Sequence, residues 1–529
     1  MSRWTLAAPI ALLSLAVLPA ASVHAEPGYH PWAHPPQGVR TIDMRTLTPV
    51  EPAPPADTPR FDELDDFVPP DATPLDAAAT REPSRMPEGW VQRGEVVMPR
   101  AVADGVLVDP DVTRAFEDIP GNRYPRKHTL YMNFVGGLLN GTGGGRDNSA
   151  ESISVLAIDQ DYPMYAGGNQ KAIAIAEATQ ADLANYGVRV VYLERPPQIL
   201  PYTMAMIGGT WQDTNIDGPA GGVAPSADCG ALNQRHVVYV FASGGQPATL
   251  AANTASQEAG HAWGLDHTLN CDSVMSYCGG IGDQSFSTTC DLLCEEQCQG
   301  PNTIGCRLAH EAICGEGSDR QNEGAELTYL FGGNEPDVQP PIVEIQEPED
   351  GLEVPAGSDV PVRAFIEDDY GGMGWSTTID KDGEVLLDEI DYFKDNIGED
   401  FRVAYNLSKL PAGVYTITVR AMDHAEQETV DTVTLYVGVE GGLDESGSGQ
   451  GTGNDSTGSP PGGTAGVLTE GSDDDDGPGE SGQVGQDDEG SEQGCGCASD
   501  PRGGSAPWWM ALGVAAFVRR RSSRVPPAI

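Results

Sequence analysis

The sequence of 529 residues predicts two folded units, an α/β or α+β domain followed by an all-β sandwich, with disordered linkers around them. Strand-like and helix-like segments alternate from residue 126 to residue 334. Short strands separated by turn residues fill residues 340–438. The remaining segments are rich in proline, or in glycine and acidic residues, and lack the hydrophobic periodicity of a packed core.

The amino end has the layout of a signal peptide. Arg3 precedes an apolar run from Leu6 to Ala21, and Val23-His24-Ala25 has the small-residue character of a signal-peptidase site. We therefore expect residues 1–25 to be removed and the protein to be exported. A membrane-spanning anchor is the alternative interpretation, although the apolar run is short for a bilayer.

Residues 26–125 are proline-rich and read as a propeptide or an extended spacer. This segment contains no cysteine, so it cannot inhibit a metal through a thiolate. His30 and His34 are available for that role, as are carboxylates.

The first folded unit is built from strands and helices in turn. HTLYMNFVGG reads as a strand, and an alanine-rich helix then ends at Gly187. A second long helix is expected to stop at Gly264, because its sequence is rich in alanine and has no internal proline. The strands expected between these helices are VRVVYLERP, TMAMIGGT and RHVVYVFA.

The second unit has the sequence pattern of a β-sandwich. Its predicted strands are PIVEIQEP, DVPVRAFIEDD, WSTTID, FRVAYNL, GVYTITVRAMD and TVTLYVG. The stretch LPAGVYTITVRAMD resembles the penultimate strand of bacterial immunoglobulin-like and fibronectin-like modules, and the resemblance covers residues 341–438. No cysteine lies there, so the resemblance concerns architecture and not antibody domains.

The cysteines agree with export. Eight of the ten lie between Cys229 and Cys314, an even set in a compartment where disulfides persist. A zinc knuckle is the alternative for Cys290, Cys294, Cys298 and Cys306, although their spacings lack a second C-x2-C pair. The eight residues expected in disulfides, with open connectivity, are Cys229, Cys271, Cys278, Cys290, Cys294, Cys298, Cys306 and Cys314.

The chain is strongly acidic, with a formal net charge of −49 at pH 7. This charge argues against binding of nucleic acid or anionic lipid, which it would repel. Residues 441–494 contain no Lys or Arg and include four consecutive aspartates, Asp473 to Asp476. We predict a solvated, disordered stalk there, with loose calcium buffering as the alternative.

The carboxy end has three parts. A Cys495-Gly-Cys497 motif precedes an apolar run from Ala506 to Val518, and Arg519-Arg520-Arg521 follows. This layout resembles a bacterial carboxy-terminal sorting signal of the myxobacterial type. The resemblance implies that residues 495–529 enter the membrane transiently, are read by sorting machinery and leave the protein at the cell surface or outside the cell. A weak membrane anchor is the alternative.

One helical segment carries the pattern of a metal site, Gln257-Glu258-x-x-His261-x-x-Gly264-x-x-His267. Residues four apart lie on one helix face, so positions 257 and 261 can hold one ion with Glu258 beside it. Gly264 then permits a sharp turn that brings His267 in. A zinc metallohydrolase needs three protein ligands for the metal, an open position for water and a carboxylate that takes the proton of that water.

Together with Met275 and Tyr277 downstream, this segment resembles the metzincin family, in which H-E-x-x-H-x-x-G-x-x-H precedes a methionine turn. The resemblance spans about His128 to Gly332. It implies an α+β metzincin-like catalytic domain with a mixed sheet plus long helices, and bound Zn2+. By this resemblance Glu258 is the general base, His261 and His267 are zinc ligands, Met275 is the floor of the site, and Tyr277 steadies an oxyanion.

Gln257 departs from the family pattern, because a histidine is expected there. Its amide oxygen is a weaker zinc donor than an imidazole nitrogen. Three interpretations follow: a zinc endopeptidase in which Gln257 or water completes the site, a catalytically silent metzincin-fold surface binding or adhesion protein, and a helix without metal. We expect the first, acting on protein or peptide substrates as a monomer.

Other histidines are weaker candidates for the missing ligand. His128 and His236 each open a strand and are expected to be strand-end residues. His310-Glu311 does not continue as H-E-x-x-H, because Cys314 stands at the last position.

A second, calcium site is predicted in Asp213-Thr-Asn215-Ile-Asp217-Gly218. Oxygen donors alternate there as in the first positions of an EF-hand, and a glycine stands at the sixth. The twelfth position is Ala224, which excludes a complete EF-hand. A calcium-binding loop and a plain Asp-Gly turn are the two interpretations.

Overall fold

The computed structural model describes residues 39–50, 60–65, 86, 89–93, 96–100, 125–141, 147–225, 228–231, 233–278, 282–298, 304–315, 317–392 and 402–439. Within them the protein is a mixed α/β structure made mostly of β-sheet, with few helices. The predicted signal peptide, acidic stalk and sorting segment lie outside the described residues, as do His30 and His34.

The first strands and the first helix of the described structure lie in the proline-rich region. The sequence predicts no strand or helix in residues 26–125. The structure has a short 3-10 helix, Phe61–Asp65, and the strands β1 (Arg40–Asp43), β2 (Trp90–Arg93) and β3 (Val96–Pro99).

An α/β unit follows, and each strand and helix expected from its sequence is present. The predicted helix to Gly187 ends earlier, at Asp182, and turns follow it. Its strands are β4 (His128–Asn133), β5 (Gly137–Gly141), β6 (Ile153–Ser154), β7 (Gln160–Tyr162), β8 (Val188–Val191), β9 (Thr203–Ile207), β10 (Gly222–Pro225), β11 (Val237–Val240), β12 (Asp291–Leu292) and β13 (Arg320–Gln321). Its α-helices are α1 (Asn169–Asp182), α2 (Ala248–Ala262), α3 (Glu295–Cys298), α4 (Arg307–Cys314) and α5 (Glu323–Phe331).

The main sheet of this unit is mixed, with strand order β2-β3-β10-β11-β9-β4-β8. Strands β8, β4, β9 and β11 are parallel, whereas β10 runs antiparallel to β11. Every residue of β4, β9, β10 and β11 is buried, as expected for strands covered on both faces. Helix α2 packs on β9, β10 and β11 through its alanines, whose small side chains let the helix lie close to the sheet.

The carboxy-terminal unit is a two-layer β-sandwich. One sheet has the order β1-β19-β16-β14 and the other β15-β21-β20-β17-β18, and their inner faces share one hydrophobic core. The sequence pattern does not predict β15 or β18. The strands are β14 (Ile342–Glu347), β15 (Leu352–Val354), β16 (Val360–Glu367), β17 (Gly374–Lys381), β18 (Glu384–Tyr392), β19 (Val403–Ser408), β20 (Gly413–Met422) and β21 (Glu428–Val437).

The predicted disulfides are confirmed. The pairs are Cys229–Cys306, Cys271–Cys278, Cys290–Cys314 and Cys294–Cys298. The zinc-knuckle alternative is wrong, because all four of its sulfur atoms are used in these bonds. Four disulfides are consistent with an exported protein. Within the described ranges, no helix is long and apolar enough to cross a membrane.

Candidate metal centre

Two imidazole rings meet at the end of α2. The Nε2 atoms of His261 and His267 lie 3.0 Å apart, and both side chains are buried. The Nδ1 atom of His261 donates a hydrogen bond to the carbonyl oxygen of Leu265 at 2.7 Å. This bond fixes the tautomer, because a neutral ring protonated at Nδ1 carries its lone pair on Nε2. The ring therefore presents an electron pair toward His267.

His267 lies between His261 and Tyr277. Burial lowers the pKa of His267 to about 3, although the neighbouring Asp266 opposes this shift. The ring is therefore neutral at physiological pH, the form that binds a metal. The Tyr277 ring stacks on it with centroids 3.9 Å apart and an interplanar angle of 26°. The structure thus brings together three of the residues that the sequence singled out.

Gln257 lies on α2 one turn before His261 and is partly buried. Its Nε2 atom donates to the backbone oxygen of Ser276 at 3.2 Å. The amide is therefore held by the residue that directly follows Met275. With the nitrogen used in this way, the amide oxygen is the atom left to act as a ligand.

Glu258 is buried at 4% exposure and lies against strand β10 of the main sheet. A Cβ added to Gly222 would lie 2.5 Å from Oε1 of Glu258 and 2.7 Å from Cγ2 of Thr254. Only a glycine fits between this strand and α2. The motif from Gln257 to His267 does not indicate Gly222, because this glycine lies outside it.

Met275 packs against α2 at Gly260. A Cβ on Gly260 would lie 2.7 Å from the Met275 sulfur, so the absence of a side chain at Gly260 lets the methionine pack against α2. Gly264, the turn residue after the helix, has a φ of +99°. Asp228 and the Cys229–Cys306 disulfide close around it, with neighbours 3.2 to 3.3 Å from an added Cβ.

A buried charge network lies directly behind His267. His310 is fully buried, and its Nε2 lies 2.9 Å from Asp266 while its Nδ1 lies 2.9 Å from Glu326. Burial disfavours the charged ring, but the carboxylates of Glu326 and Asp266 outweigh it and raise the pKa of His310 to about 10. His310 is therefore an ion-pair partner that anchors the residue before His267.

The two strand-end histidines have other partners. His236 lies 2.7 Å from Asp228, and although burial opposes it, Asp147 and Asp228 raise its pKa to about 9. His128 shares a hydrogen bond of 2.9 Å with the Thr203 hydroxyl, and burial lowers its pKa well below the usual value.

The three donor residues of the predicted calcium loop make hydrogen bonds within the protein. The Asp213 carboxylate accepts hydrogen bonds from the backbone and hydroxyl of Thr210, which form a capping box on the 3-10 helix Trp211–Asp213. The Asn215 amide donates to the backbone oxygen of Ala157 at 2.9 Å. The backbone of Asp217 pairs with the Gln92 amide through two hydrogen bonds. Calcium binding here stays a prediction.

The donor set at the end of α2 fits zinc. Two nitrogen ligands of one zinc, each at about 2.0–2.1 Å, can be separated by no more than about 4 Å, and the observed 3.0 Å lies within this limit. Neutral imidazole is a preferred zinc donor. The third donor offered by the motif is the Gln257 amide oxygen, which is weaker.

Comparisons with known proteins give no family. No protein-family model matches the chain, and no curated protein matches it.

Solved structures resemble parts of the chain. An engineered protein has 20% identity and a TM-score of 0.15, over 19% of this chain and 20% of that one. Fibronectin(III)-like modules of CbhA from Clostridium thermocellum have 22% identity and a TM-score of 0.15, over 19% of this chain and 47% of theirs. The BIgI domain of beta protein from S. agalactiae, bound to CEACAM1, has 18% identity and a TM-score of 0.11, over 18% and 96%. The chain spans less than half of the first two proteins, and at these TM-scores the likenesses do not define its fold.

Proposed function

We propose that the protein is an exported zinc-dependent endopeptidase whose α/β unit is a metzincin-like catalytic domain and whose sandwich is an immunoglobulin-like accessory domain. One observation carries the proposal: two buried imidazole nitrogens lie 3.0 Å apart at the end of a helix that also carries a buried glutamate. This arrangement joins metal ligands to a proton acceptor, which metal-assisted hydrolysis requires.

Each residue of the proposed site has a separate role. His261 and His267 would hold the zinc, with the Gln257 oxygen as the third donor. When bound, zinc supplies a Lewis acid that polarises the scissile carbonyl and makes water more acidic. Glu258 takes the proton of the attacking water and returns it to the leaving amine. The Tyr277 hydroxyl donates to the oxygen on which charge develops.

A catalytically silent binding or adhesion protein is the second candidate. The observation that favours it is the hydrogen bond from the Gln257 amide to Ser276, which gives this side chain a structural role without a metal. Loss of one imidazole ligand would also lower metal affinity.

The decisive experiment uses the full-length chain and the variants Glu258→Ala and His261→Ala. Bound zinc per chain and hydrolysis of an unfolded protein substrate are measured for each. We expect Glu258→Ala to retain zinc and lose hydrolysis by about 100-fold or more, since removal of the base leaves the ligands in place. His261→Ala should lose both. Wild-type protein that binds zinc without turnover would support the silent protein instead.

A further inference from the structure

Glu323 is a buried carboxylate that the proposed chemistry does not use. It is the first residue of α5 and has no exposed surface. Its position in the chain is 55 residues beyond Thr268, so no local motif links it to the metal site. Buried carboxylates are costly unless their oxygens are hydrogen-bonded, and the partners of Glu323 are therefore informative.

The carboxylate of Glu323 accepts hydrogen bonds from three segments. The Ser273 hydroxyl lies 2.7 Å from each of its oxygens, and the Ser287 backbone nitrogen donates at 2.7 Å. The Thr268 hydroxyl donates at 3.3 Å. One side chain thus contacts both Thr268, which directly follows His267, and Ser273, which stands two residues before Met275.

The contacts continue into the site. The Ser273 hydroxyl accepts from the backbone nitrogen of Met275 at 2.9 Å. The backbone nitrogen of Thr268 donates to the Met275 oxygen at 2.8 Å. The segment from Thr268 to Met275 is therefore a closed loop, and the Glu323 carboxylate holds both of its ends.

We propose that Glu323 is a positioning residue of the metal site, which holds His267 and the Met275 turn in place by fixing both ends of the segment that joins them. This inference rests on the proposed function, because holding His267 in place affects activity only if the ring binds a metal. Glu323 acts through Thr268 and Ser273.

Zinc alone serves as the probe. The zinc dissociation constant of the full-length chain is measured by chelator competition for wild type and Glu323→Gln, which keeps the size of the side chain but replaces one acceptor by a donor. We expect zinc to bind about tenfold more weakly, as for other partners behind a metal ligand. Glu323→Gln combined with Ser273→Ala should weaken zinc binding by less than the product of the two single effects, since both changes break the hydrogen bond between these side chains.

Asp147→Asn is the matched control. Asp147 is also a buried carboxylate of the α/β unit, and it accepts hydrogen bonds from the backbone of Val155 and Val237, which lie outside the segment from Thr268 to Met275. Its substitution should lower stability and leave zinc affinity unchanged. If both variants weaken zinc equally, or if neither does, the positioning role is refuted.

A second readout separates this inference from the proposed function. Hydrogen exchange of the backbone amides of residues 268–276 is followed without metal. Glu323→Gln should accelerate it, whereas Asp147→Asn should not. If wild type binds no zinc, the proposed function fails, and exchange alone then decides the inference: equal rates in the wild type and Glu323→Gln would refute it.

Discussion

Gly222 and Glu258 lie so close together that a Cβ on the glycine would come within 2.5 Å of the glutamate oxygen Oε1. The backbone of strand β10 thus forms one wall of the space that holds the proposed general base. The opposite wall is the helix that carries the base itself. The position of Glu258 therefore depends on a residue that has no functional group.

Gly222→Ala should displace Glu258. The added methyl group would overlap the glutamate and Cγ2 of Thr254, so the carboxylate must move by a few tenths of an ångström or more. Because small displacements of catalytic groups are costly, we expect hydrolysis to fall by about 10- to 100-fold while zinc affinity is unchanged. Steady-state kinetics and chelator competition measure the two effects.

The neighbouring Gly221→Ala is the control for this substitution. An added Cβ there has no heavy atom within 4 Å, so activity should be close to that of the wild type. Equal losses in the two variants would contradict the role given to Gly222.

Gln257→His should strengthen zinc binding. An imidazole nitrogen is a better zinc donor than an amide oxygen, so we expect the dissociation constant to fall about tenfold or more. Zinc titration with a competing chelator tests this, and Gln212→His, a change at an exposed glutamine, is the control. Hydrolysis that appears only in Gln257→His would identify the natural protein as the silent form.

Gly264→Ala should destabilise the α/β unit. The backbone has a φ of +99° at this position and the Cys229–Cys306 disulfide lies beside it, so an alanine would be strained. We expect a loss of about 1–3 kcal/mol in the free energy of unfolding. Gly245→Ala, where the nearest atom to an added Cβ is 3.9 Å away, should change stability little in the same calorimetric measurement.

The buried His310 predicts a stability that falls at alkaline pH. Its pKa is raised from 6.5 to about 10 in the folded protein, so the folded state binds this proton more tightly than the unfolded state. The stabilisation is complete below about pH 6.5 and is lost as the pH rises toward 10. Unfolding measured across this range should show the decrease.

His310→Gln tests the same network by substitution. Without the cation, Asp266 and Glu326 remain buried beside a neutral side chain, and we expect a loss of about 3 kcal/mol or more at neutral pH. The variant should also lack the part of the pH dependence that His310 causes. An unchanged profile would show that the ring is neutral in the folded protein.

The sequence was sufficient to predict the elements whose signals are local. The strands containing His128 and Thr203 and the helix that ends before Gly264 follow from hydrophobic periodicity and helix-stop residues, and all are present. The approach of His261 and His267 follows from helix geometry and one glycine. The sandwich strands from β14 to β21 follow from alternation, except for β15, which has three residues, and β18, whose acidic sequence obscures the pattern.

The rest depends on contacts between distant residues. Nothing near Glu323 indicates that it holds Ser273, and nothing near Gly222 indicates that it faces Glu258. The connectivity of the disulfides has the same origin, because the pairing of Cys229 with Cys306 joins residues 77 positions apart. Such relationships are set by tertiary packing, which periodicity does not encode.

Strand β1 lies at the start of the chain, yet Arg40–Asp43 pairs in parallel with Val403–Ser408 in the last folded unit. Phe61 packs on Phe134, and Val96–Val97 pair with β10, so the amino-terminal segment is attached along both units. A protease that cut the backbone once between Arg100 and Pro125 would consequently produce two polypeptides that stay bound to each other. Denaturing electrophoresis would resolve two fragments, while gel filtration would return them in a single peak.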